Sequence, residues 1–340
     1  MLTECVGRAL AEGGRIMFLA PDGEEIEIAN AAAEFLADAM PIARLHEPGS
    51  ADMDEATRRR LGEMGWFALA LPEAQGGSGL SAVEFALFFR EAGRQCGPID
   101  CLAQSLAAMV AADTNVQAAL LSGDQGVVLA VADAGGFRLL GAPDASYALA
   151  VDRDGARLHA LNGESAEPRP PLDPANSMRR VASLHGAPVA EAHGEAIWRM
   201  AELGTAAMLV GVAEAALDLI VDYAKVRETF GRKIGAYQAV RHPCADMALR
   251  NETARCQLWF AAAALKEGRA DAGVHLDAAK HLANQAAHAN ADVNIQLHGG
   301  IGVTDEHDAH LLLKHAMLLG KLFGSKRPLL ARLLHARAED

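Results

Sequence analysis

The sequence predicts a mainly α-helical fold with a small β insert. Before residue 122 and after residue 191, apolar residues recur at intervals of three and four, which is the spacing of one helix face. Between these zones, short apolar runs alternate with glycine and proline turns, which is typical of strands. We therefore predict an N-terminal helical domain over 1–122, a small β domain over 123–190 and a C-terminal four-helix bundle over 191–340.

The first zone has helical spacing over 31–43 and 52–64, followed by a loop rich in glycine and proline over 71–80. Ser81 then begins the next helix, with Glu84 three residues later as in a capping box. In the second zone we expect a small antiparallel sheet from the apolar runs 127–132, 137–140, 147–151, 157–161 and 181–184. The third zone has four amphipathic stretches, 203–224, 240–265, 276–297 and 311–334, the last interrupted near Gly324 and Pro328.

Composition narrows the possible partners and compartments. The 340 residues are 51% hydrophobic and 22% charged, as in ordinary globular proteins, and the net charge of −13 argues against nucleic acid as a partner. The five cysteines are scattered and form no CxxC pair, so we expect reduced thiols in a cytoplasmic protein. The start of the sequence has no secretory signal pattern, and the most apolar stretch, 200–223, contains four acidic residues, so we expect no membrane span.

Most short catalytic signatures are absent from the sequence, including GxSxG, the Walker loop, HExxH and GxGxxG. The glycines at 76–79 lie between predicted helices, so they are only a weak candidate for a phosphate-binding loop. The segment 305–310 is rich in aspartate and histidine, but its residues follow one another too closely to define a zinc site. We predict no metal site there and expect Asp308 to cap the next helix.

Two segments point to a ligand. Arg227 lies at a predicted helix end beside the turn Phe230-Gly231, where a guanidinium can grip a diphosphate. In Gln296-Leu-His-Gly-Gly-Ile-Gly302, paired glycines allow backbone amides to approach a ligand, and Gln296 adds a side-chain amide. Each segment alone could be structural, since Arg227 could pair with a carboxylate and the glycines could end a helix. Their occurrence together in one bundle favours a site.

Several ordered motifs resemble those of the acyl-CoA dehydrogenase family, over nearly the whole chain. The family's GW…PE…GG.G, E-x-G-R, R-x-x-F-G and Q-x-x-G-G-x-G have counterparts in Gly65-Trp66 with 71–79, Glu91-Ala-Gly-Arg94, Arg227-Glu-Thr-Phe-Gly231 and 296–302. The resemblance implies a helical domain, a small β domain and a four-helix bundle. It also implies FAD and an acyl-CoA substrate, with a carboxylate removing the α proton while the β hydrogen leaves as hydride to the flavin. Electron-transfer flavoprotein is the electron acceptor that the resemblance implies.

In this family, the two motifs of the bundle contact the FAD of a neighbouring subunit. The residues that this implies are Arg227, Thr229, Phe230, Gln238, Gln296, Gly299 and Gly300. The resemblance thus implies at least a dimer, and a dimer of dimers, a tetramer, is usual. The motifs that hold a chain's own flavin ring, T-E-P…G-S-D and W-x-T, have no counterpart, and Val131-Ala-Asp-Ala-Gly-Gly-Phe137 stands in their place.

The family's catalytic glutamate also has no direct counterpart. Counting from Gly299-Gly300 brings its position to Phe323, which cannot accept a proton. Other members place the glutamate at the start of the preceding helix, where this sequence has Ala201 followed by Glu202. Glu202 could therefore be the base, or it could be a carboxylate that the helix dipole favours in a first turn.

Residues that serve a neighbour's flavin are retained, while those for the chain's own flavin are not. We therefore favour a subunit that shares its flavin site with an unlike partner chain supplying the glutamate, as in heteromeric members linked to sterol side chains. The segment Thr304-Asp-Glu-His-Asp308 resembles the T-x-E-H-D of that subgroup. Two alternatives stay open: a self-sufficient homo-oligomeric dehydrogenase with Glu202 as base, and a helical scaffold without turnover.

Overall fold

The computed structural model describes residues 11–12, 15–16, 20–47, 52–112, 114–162 and 166–336. The described chain divides into two compact units, which we call the bundle unit and the sheet unit. The bundle unit takes its residues from 1–36, 82–95 and 202–340, and the sheet unit takes its residues from 37–81 and 96–201. Each unit combines separate stretches of the chain, so this division does not test the three consecutive domains expected from the sequence. Their boundaries stay a prediction.

The helices are α1 (Gly23–Ala39), α2 (Glu55–Glu63), α3 (Ala82–Arg94), α4 (Ile99–Val110), α5 (Gln117–Leu121), α6 (Ala196–Val226), α7 (Gln238–Lys266), α8 (Ala272–His298), α9 (Ala309–Leu319) and α10 (Lys326–His335). The strands are β1 (Ala11–Glu12), β2 (Arg15–Ile16), β3 (Val127–Asp133), β4 (Gly136–Leu140), β5 (Tyr147–Val151), β6 (Gly155–Ala160), β7 (Glu167–Arg169), β8 (Met178–Val181), β9 (Ala190–His193), β10 (Glu228–Thr229) and β11 (Arg232–Lys233). The described structure is thus mainly α with a small sheet, as the sequence predicts.

The sheet unit contains a seven-stranded sheet in the order β7-β8-β4-β3-β5-β6-β9. Its core includes Val128, Leu139 and Ala148. The prediction of a purely antiparallel sheet is wrong, because β3 and β5 run parallel. β3 and β4 form a hairpin, and residues 141–146 then carry the chain to the other side of β3, where β5 runs in the same direction as β3.

Around this sheet, helix ends are fastened by buried polar side chains. Asn176 Oδ1 accepts a hydrogen bond from the Ile99 amide at 2.7 Å at the start of α4. Asp100 Oδ2 accepts one from the Ala142 amide at 3.0 Å, and burial raises the pKa of this carboxyl to about 7. The glycines at 76–79 form a packing loop, since a Cβ on Gly77 would lie 2.0 Å from the Leu71 carbonyl oxygen.

The bundle unit is built around α6, α7 and α8. Helices α7 and α8 are joined by a short turn and run antiparallel, with Asn290 linking them by a 2.7 Å bond to Asn251 and a second 2.7 Å bond from Arg250. The fourth predicted helix consists of α9 and α10, separated near Gly324 as the sequence indicates. Among the described residues only α6 has the length and apolarity of a membrane span, and 72% of its most apolar window is buried inside the protein. It is the central core helix of the bundle.

Helix α3 packs closely on α6, and this contact accounts for the Glu91-Ala-Gly-Arg94 motif. A Cβ on Gly93 would lie 2.0 Å from the Met208 carbonyl oxygen, so only glycine permits this approach. Arg94 pairs with Asp218 at 2.5 Å and Arg90 with Glu214 at 2.7 Å, both across the two helices. The motif therefore serves packing within the bundle unit.

Candidate functional site

A hairpin between α6 and α7 carries the first group of predicted flavin-contact residues. Strands β10 and β11 pair with Thr229 opposite Arg232, so Phe230 and Gly231 form a two-residue turn with φ values of 49° and 76°. Such a turn needs positive φ at both positions, which is costly for phenylalanine. The Phe230 ring is 98% exposed although the backbone holding it is strained. Arg227, which precedes the hairpin, and Gln238, which starts α7, are also exposed.

Tyr237 fixes the base of this hairpin. Its hydroxyl donates to the Thr229 carbonyl oxygen at 2.9 Å, and the Arg232 guanidinium lies 4.0 Å from the centre of its ring. A cation over an aromatic face stabilises such a contact by about 0.5–1 kcal/mol at an exposed site. The hairpin is therefore held from α7 while its tip projects outward.

The end of α8 carries the second group. The helix stops at Gly299, whose φ of 69° and ψ of −145° are accessible only to glycine. Gln296, Gly299 and Gly300 are exposed, and a Cβ on either glycine would have no heavy atom within 4 Å. Gly302 is buried, and a Cβ there would lie 2.8 Å from the Ile295 carbonyl oxygen. Gly302 thus packs against α8 and anchors the loop, whereas Gly299 and Gly300 have free space around them.

Ring contacts bring the two groups to one end of the bundle unit. Tyr223, one turn before Arg227 on α6, has its ring centre 4.5 Å from that of His298, the last residue of α8. His298 in turn lies 4.4 Å from His307, in the segment before α9. Because Arg227 follows Tyr223 by one turn and Gln296 and Gly299 flank His298, the seven residues lie at this end.

The predicted base position lies in a turn that we call the base turn, residues 319–324. Phe323 in this turn is 8% exposed. Helix α8 fastens both ends of the turn, because Lys280 Nζ donates to the Leu319 carbonyl oxygen at 2.9 Å and Asn284 Nδ2 to the Gly324 carbonyl oxygen at 3.2 Å. These two α8 residues are one turn apart and thus face the same side.

Glu202 lies beside this turn. The sequence leaves a first-turn position open, but α6 begins at Ala196, so Glu202 is in its second turn. It is 2% exposed, and its Oε1 would lie 3.2 Å from a Cβ on Gly324. Arg332 of α10 donates to the same oxygen at 3.4 Å. The structure therefore places Glu202 next to the base turn and engages it in an ion pair.

Arg332 and Lys280 extend this pair into a buried charge cluster. Arg332 Nε donates to both carboxylate oxygens of Asp277 on α8, at 2.8 and 3.0 Å. Burial lowers the pKa of the fully enclosed Lys280 to about 7, and the nearby Glu202 carboxylate opposes this shift. Two carboxylates and two cationic side chains thus meet beside the base turn, so the charges are balanced when Lys280 is protonated.

Other predicted features have different roles. The stretch 131–137, which replaces the flavin-ring motifs, forms the β3–β4 hairpin and contains no hydroxyl or amide side chain. Asp308 stands at the N-cap of α9 without a side-chain capping bond; instead, His307 Nδ1 accepts from the Ala309 amide at 3.1 Å. Within the described ranges no group of three His, Cys, Asp or Glu side chains is arranged to hold a metal ion.

A pocket of about 800 Å³ opens along α8 beside the base turn. Its lining has an apolar floor that includes Ala286, Ala289 and Ala316, and it contains no carboxylate. The basic and imidazole side chains that line it are Arg250, His281, His288, Lys321 and Lys326. On a chain of net charge −13, such a lining favours a polar or anionic group over a cation.

The sequence did not single out Tyr223, Lys280, His298 or Arg332. His298 lies inside the glycine motif, but a histidine before paired glycines gives no sign that it stacks on another helix. Lys280 interrupts the apolar stripe of α8 at a position whose neighbours are buried, and that break in the pattern was the available signal.

Comparison with known proteins identifies the family. Models of the acyl-CoA dehydrogenase N-terminal and C-terminal domains match residues 22–119 and 199–334. The acyl-CoA dehydrogenase FadE34 of Mycobacterium tuberculosis is 36% identical over 300 residues, covering 82% of this chain and 41% of that protein. This chain therefore spans about two fifths of the length of FadE34. Acyl-CoA dehydrogenase IpdE2 of the same organism is 34% identical over 290 residues, covering 82% of this chain and 86% of that protein.

Solved structures agree. A variant of the steroid ACAD Tcur3481-Tcur3483 superposes with a TM-score of 0.76 at 26% identity, covering 92% of this chain and 97% of that one. The ChsE4-ChsE5 complex of Mycobacterium tuberculosis shares the fold, with a TM-score of 0.76 at 22% identity over 95% of this chain and 100% of that one. These matches confirm the predicted fold and cofactor, and the chain belongs to the acyl-CoA dehydrogenase family, as an FAD-dependent enzyme or a subunit of one.

Proposed function

We propose that this chain is one subunit of an acyl-CoA dehydrogenase whose flavin site is completed by an unlike partner chain, and that the partner supplies the catalytic carboxylate. The proposal rests on the contrast between the residues predicted to contact flavin and the residue at the predicted base position. The predicted flavin-contact residues are retained at one end of the bundle unit, and all but the half-buried Thr229 are exposed, while a phenylalanine occupies the predicted base position in the base turn.

The retained residues fit a flavin nucleotide of a neighbouring subunit. Arg227 offers an exposed guanidinium for a diphosphate, and Gln296 offers an exposed amide. The open space around Gly299 and Gly300 leaves room for a ligand to approach the backbone. Bound FAD would supply the acceptor for the hydride that leaves the β carbon of the thioester. Arg227, Gln296 and the two glycines would bind and orient it.

The base has to come from elsewhere in this proposal. Phe323 has no group that accepts a proton, and Glu202 is held by Arg332 inside a balanced charge cluster. A carboxylate that removes an α proton must reach the thioester within hydrogen-bond distance. A partner chain with a glutamate at the position equivalent to Phe323 would provide it.

We propose a bulky acyl-CoA, of the kind derived from a sterol side chain, as the substrate class. The relatives support this choice, because the Tcur3481-Tcur3483 structure is described as a steroid ACAD. Electron-transfer flavoprotein is the proposed electron acceptor, and a dimer or a dimer of dimers is the proposed assembly. The free thiols of Cys96, Cys101, Cys244 and Cys256 are consistent with a reducing cytoplasm.

The decisive experiment measures FAD per chain by absorbance and mass spectrometry, for the chain alone and co-purified with a neighbouring dehydrogenase-like gene product. We expect almost no FAD on the chain alone and about one FAD per pair of chains in the complex. Arg227→Met should remove most FAD from the complex, whereas Arg59→Met, an exposed arginine of α2, should not. Unchanged FAD in the Arg227 variant would contradict the proposal.

A self-sufficient enzyme with Glu202 as base is the second candidate, favoured by the position of Glu202 beside the base turn. Glu202→Gln separates the two candidates. Activity that survives this change excludes Glu202 as base, and a loss of more than about a thousandfold with FAD retained would support it. The third candidate, a scaffold without turnover, predicts that neither the chain nor its complex binds FAD.

A further inference from the structure

We call the end of the bundle unit that carries Arg227 and Gly299 the flavin-contact end. Three aromatic rings from separate segments contact one another there. Tyr223 comes from the last turns of α6, His298 ends α8, and His307 precedes α9. The ring centres of Tyr223 and His298 are 4.5 Å apart, and those of His298 and His307 are 4.4 Å apart. His298 is thus the middle ring and joins the segment that leads to Arg227 with the one that leads to Gly299.

His298 is fixed in place from several sides. It is 5% exposed, and its Nδ1 lies 2.8 Å from the Asn294 carbonyl oxygen, to which it donates. Its Cβ would lie 3.0 Å from a Cβ on Gly302, so the glycine loop closes directly over it. The other ring nitrogen, Nε2, is buried and has no hydrogen-bond partner. A neutral imidazole with the proton on Nδ1 satisfies this arrangement.

A protonated His298 does not fit the same surroundings. Protonation would place a donor on Nε2 where the protein offers no acceptor, which is costly in a buried position. The titratable groups that face the ring are Tyr223 from α6 and His307 from the segment before α9, and neither is a carboxylate that could compensate a positive charge. Burial, together with the charge that His307 can carry, lowers the pKa of His298.

We propose that His298 is a positioning residue for the shared flavin site: as a neutral ring between Tyr223 and His307, it holds the Gly299–Gly300 loop in register with the Arg227 hairpin, and its protonation releases that loop. This inference rests on the proposed function for its effect on FAD, because the two segments that it joins carry the predicted flavin-contact residues. The coupling between the loop and the hairpin is a property of this chain and does not depend on FAD.

Two variants separate the roles of the ring. His298→Ala removes the stack and the bond to Asn294, whereas His298→Phe keeps a ring that cannot take up a proton. His288→Ala, at an exposed position of the same helix, is the matched control. The first measurement is hydrogen exchange of the backbone amides in 299–303 in the full chain without FAD, at about pH 7.5 and about pH 5.5.

We expect His298→Ala to speed this exchange about tenfold at the higher pH, because two ring contacts are lost, and by less at the lower pH, where protonation already loosens the loop of the wild type. The wild-type chain should exchange faster at the lower pH than the intrinsic rate predicts, and His298→Phe should remove that extra acceleration. Exchange in His298→Ala equal to that of wild type would overturn the positioning role. An acid effect that persists in His298→Phe would overturn the role of protonation.

The second measurement is the Kd for FAD of the co-purified complex at the same two pH values. We expect His298→Ala to raise it about tenfold, and His298→Phe to bind FAD nearly as well at the lower pH as at the higher. If the wild-type complex binds no FAD while His298→Ala still frees the loop, the proposed function fails and the positioning role survives. If the complex binds FAD and His298→Ala leaves both measurements unchanged, only the positioning role fails.

Discussion

Helix α8 contributes to two regions of the bundle unit, the flavin-contact end and the surroundings of the base turn. Polar residues are exposed in the first region and buried in the second. At the C-terminal end, Arg227, Gln296, Gly299 and Gly300 are exposed. About 27 Å back along the helix, Lys280 is fully buried, and Glu202 of α6 beside it is 2% exposed. The charges of these groups are compensated within the chain. The flavin-contact end is open to a molecule outside the chain, whereas the region around the base turn is closed upon itself.

This difference supports the proposal that one subunit keeps part of a shared site. In that proposal, the residues exposed at the flavin-contact end bind a ligand outside the chain, and the strained, exposed Phe230 is the clearest example. At the base turn, a glutamate at position 323 would have to join a cluster that is already balanced. We infer that the closed region stabilises the fold and the open region serves a partner's flavin.

Removing the shared cation of the buried charge cluster should destabilise the protein most. Arg332→Met leaves the carboxylates of Glu202 and Asp277 without their shared cation, and Glu202 has almost no access to water. We expect the free energy of unfolding to fall by about 3 kcal/mol. Urea unfolding of this variant and of Arg327→Met, an exposed arginine on the same helix, measures it. A similar loss in both variants would contradict the role of the cluster.

The same region predicts a pH dependence. Because burial lowers the pKa of Lys280 to about 7, the native state loses this proton above pH 7 while the unfolded chain keeps it until near its ordinary value of 10.5. Stability therefore rises with pH over this window, by about 1.4 kcal/mol per pH unit from this group. Urea unfolding between about pH 7 and pH 9 should show this slope in the wild type and not in Lys280→Met.

The third prediction tests the open end through its backbone. Gly299→Ala forces a side chain into a conformation that only glycine adopts, at a cost of about 1–3 kcal/mol. Gly300→Ala is the matched control, since Gly300 does not have a positive φ and a Cβ there has open space. We expect a lower melting temperature for Gly299→Ala alone. Equal melting temperatures would show that the loop relaxes freely.

A substitution of Phe230 should change stability only slightly, and it should affect folding and FAD binding in opposite directions. Phe230→Asn places a residue that tolerates positive φ at the hairpin tip and removes an exposed ring. We expect the isolated chain to become more stable by about 1 kcal/mol. FAD retention by the complex should fall. A variant that is destabilised, or that keeps all its FAD, would remove Phe230 from the proposed contact.

The fold and the candidate site were predictable to different degrees. Apolar residues three and four apart predict the bundle helices because burial repeats with each turn. Helix α6 ends at Val226, a few residues before the turn Phe230-Gly231 at which the sequence predicts its end. The parallel pairing of β3 with β5 was not predictable, since it depends on where residues 141–146 take the chain. The motif residues could be named from resemblance, but their exposure was known only from the structure.

The helical zones and the family motifs could be read from residues close together in the chain, and so could the prediction that Phe323 stands at the position of the family's glutamate. The meeting of Arg332 and Lys280 with Glu202 beside the base turn depends on how the helices pack, and so does the contact by which His298 joins the ends of α6 and α8. Helical periodicity specifies which face of a helix is buried. It does not specify which side chain of another helix lies opposite, since that depends on how the helices cross and how far each is shifted along its axis.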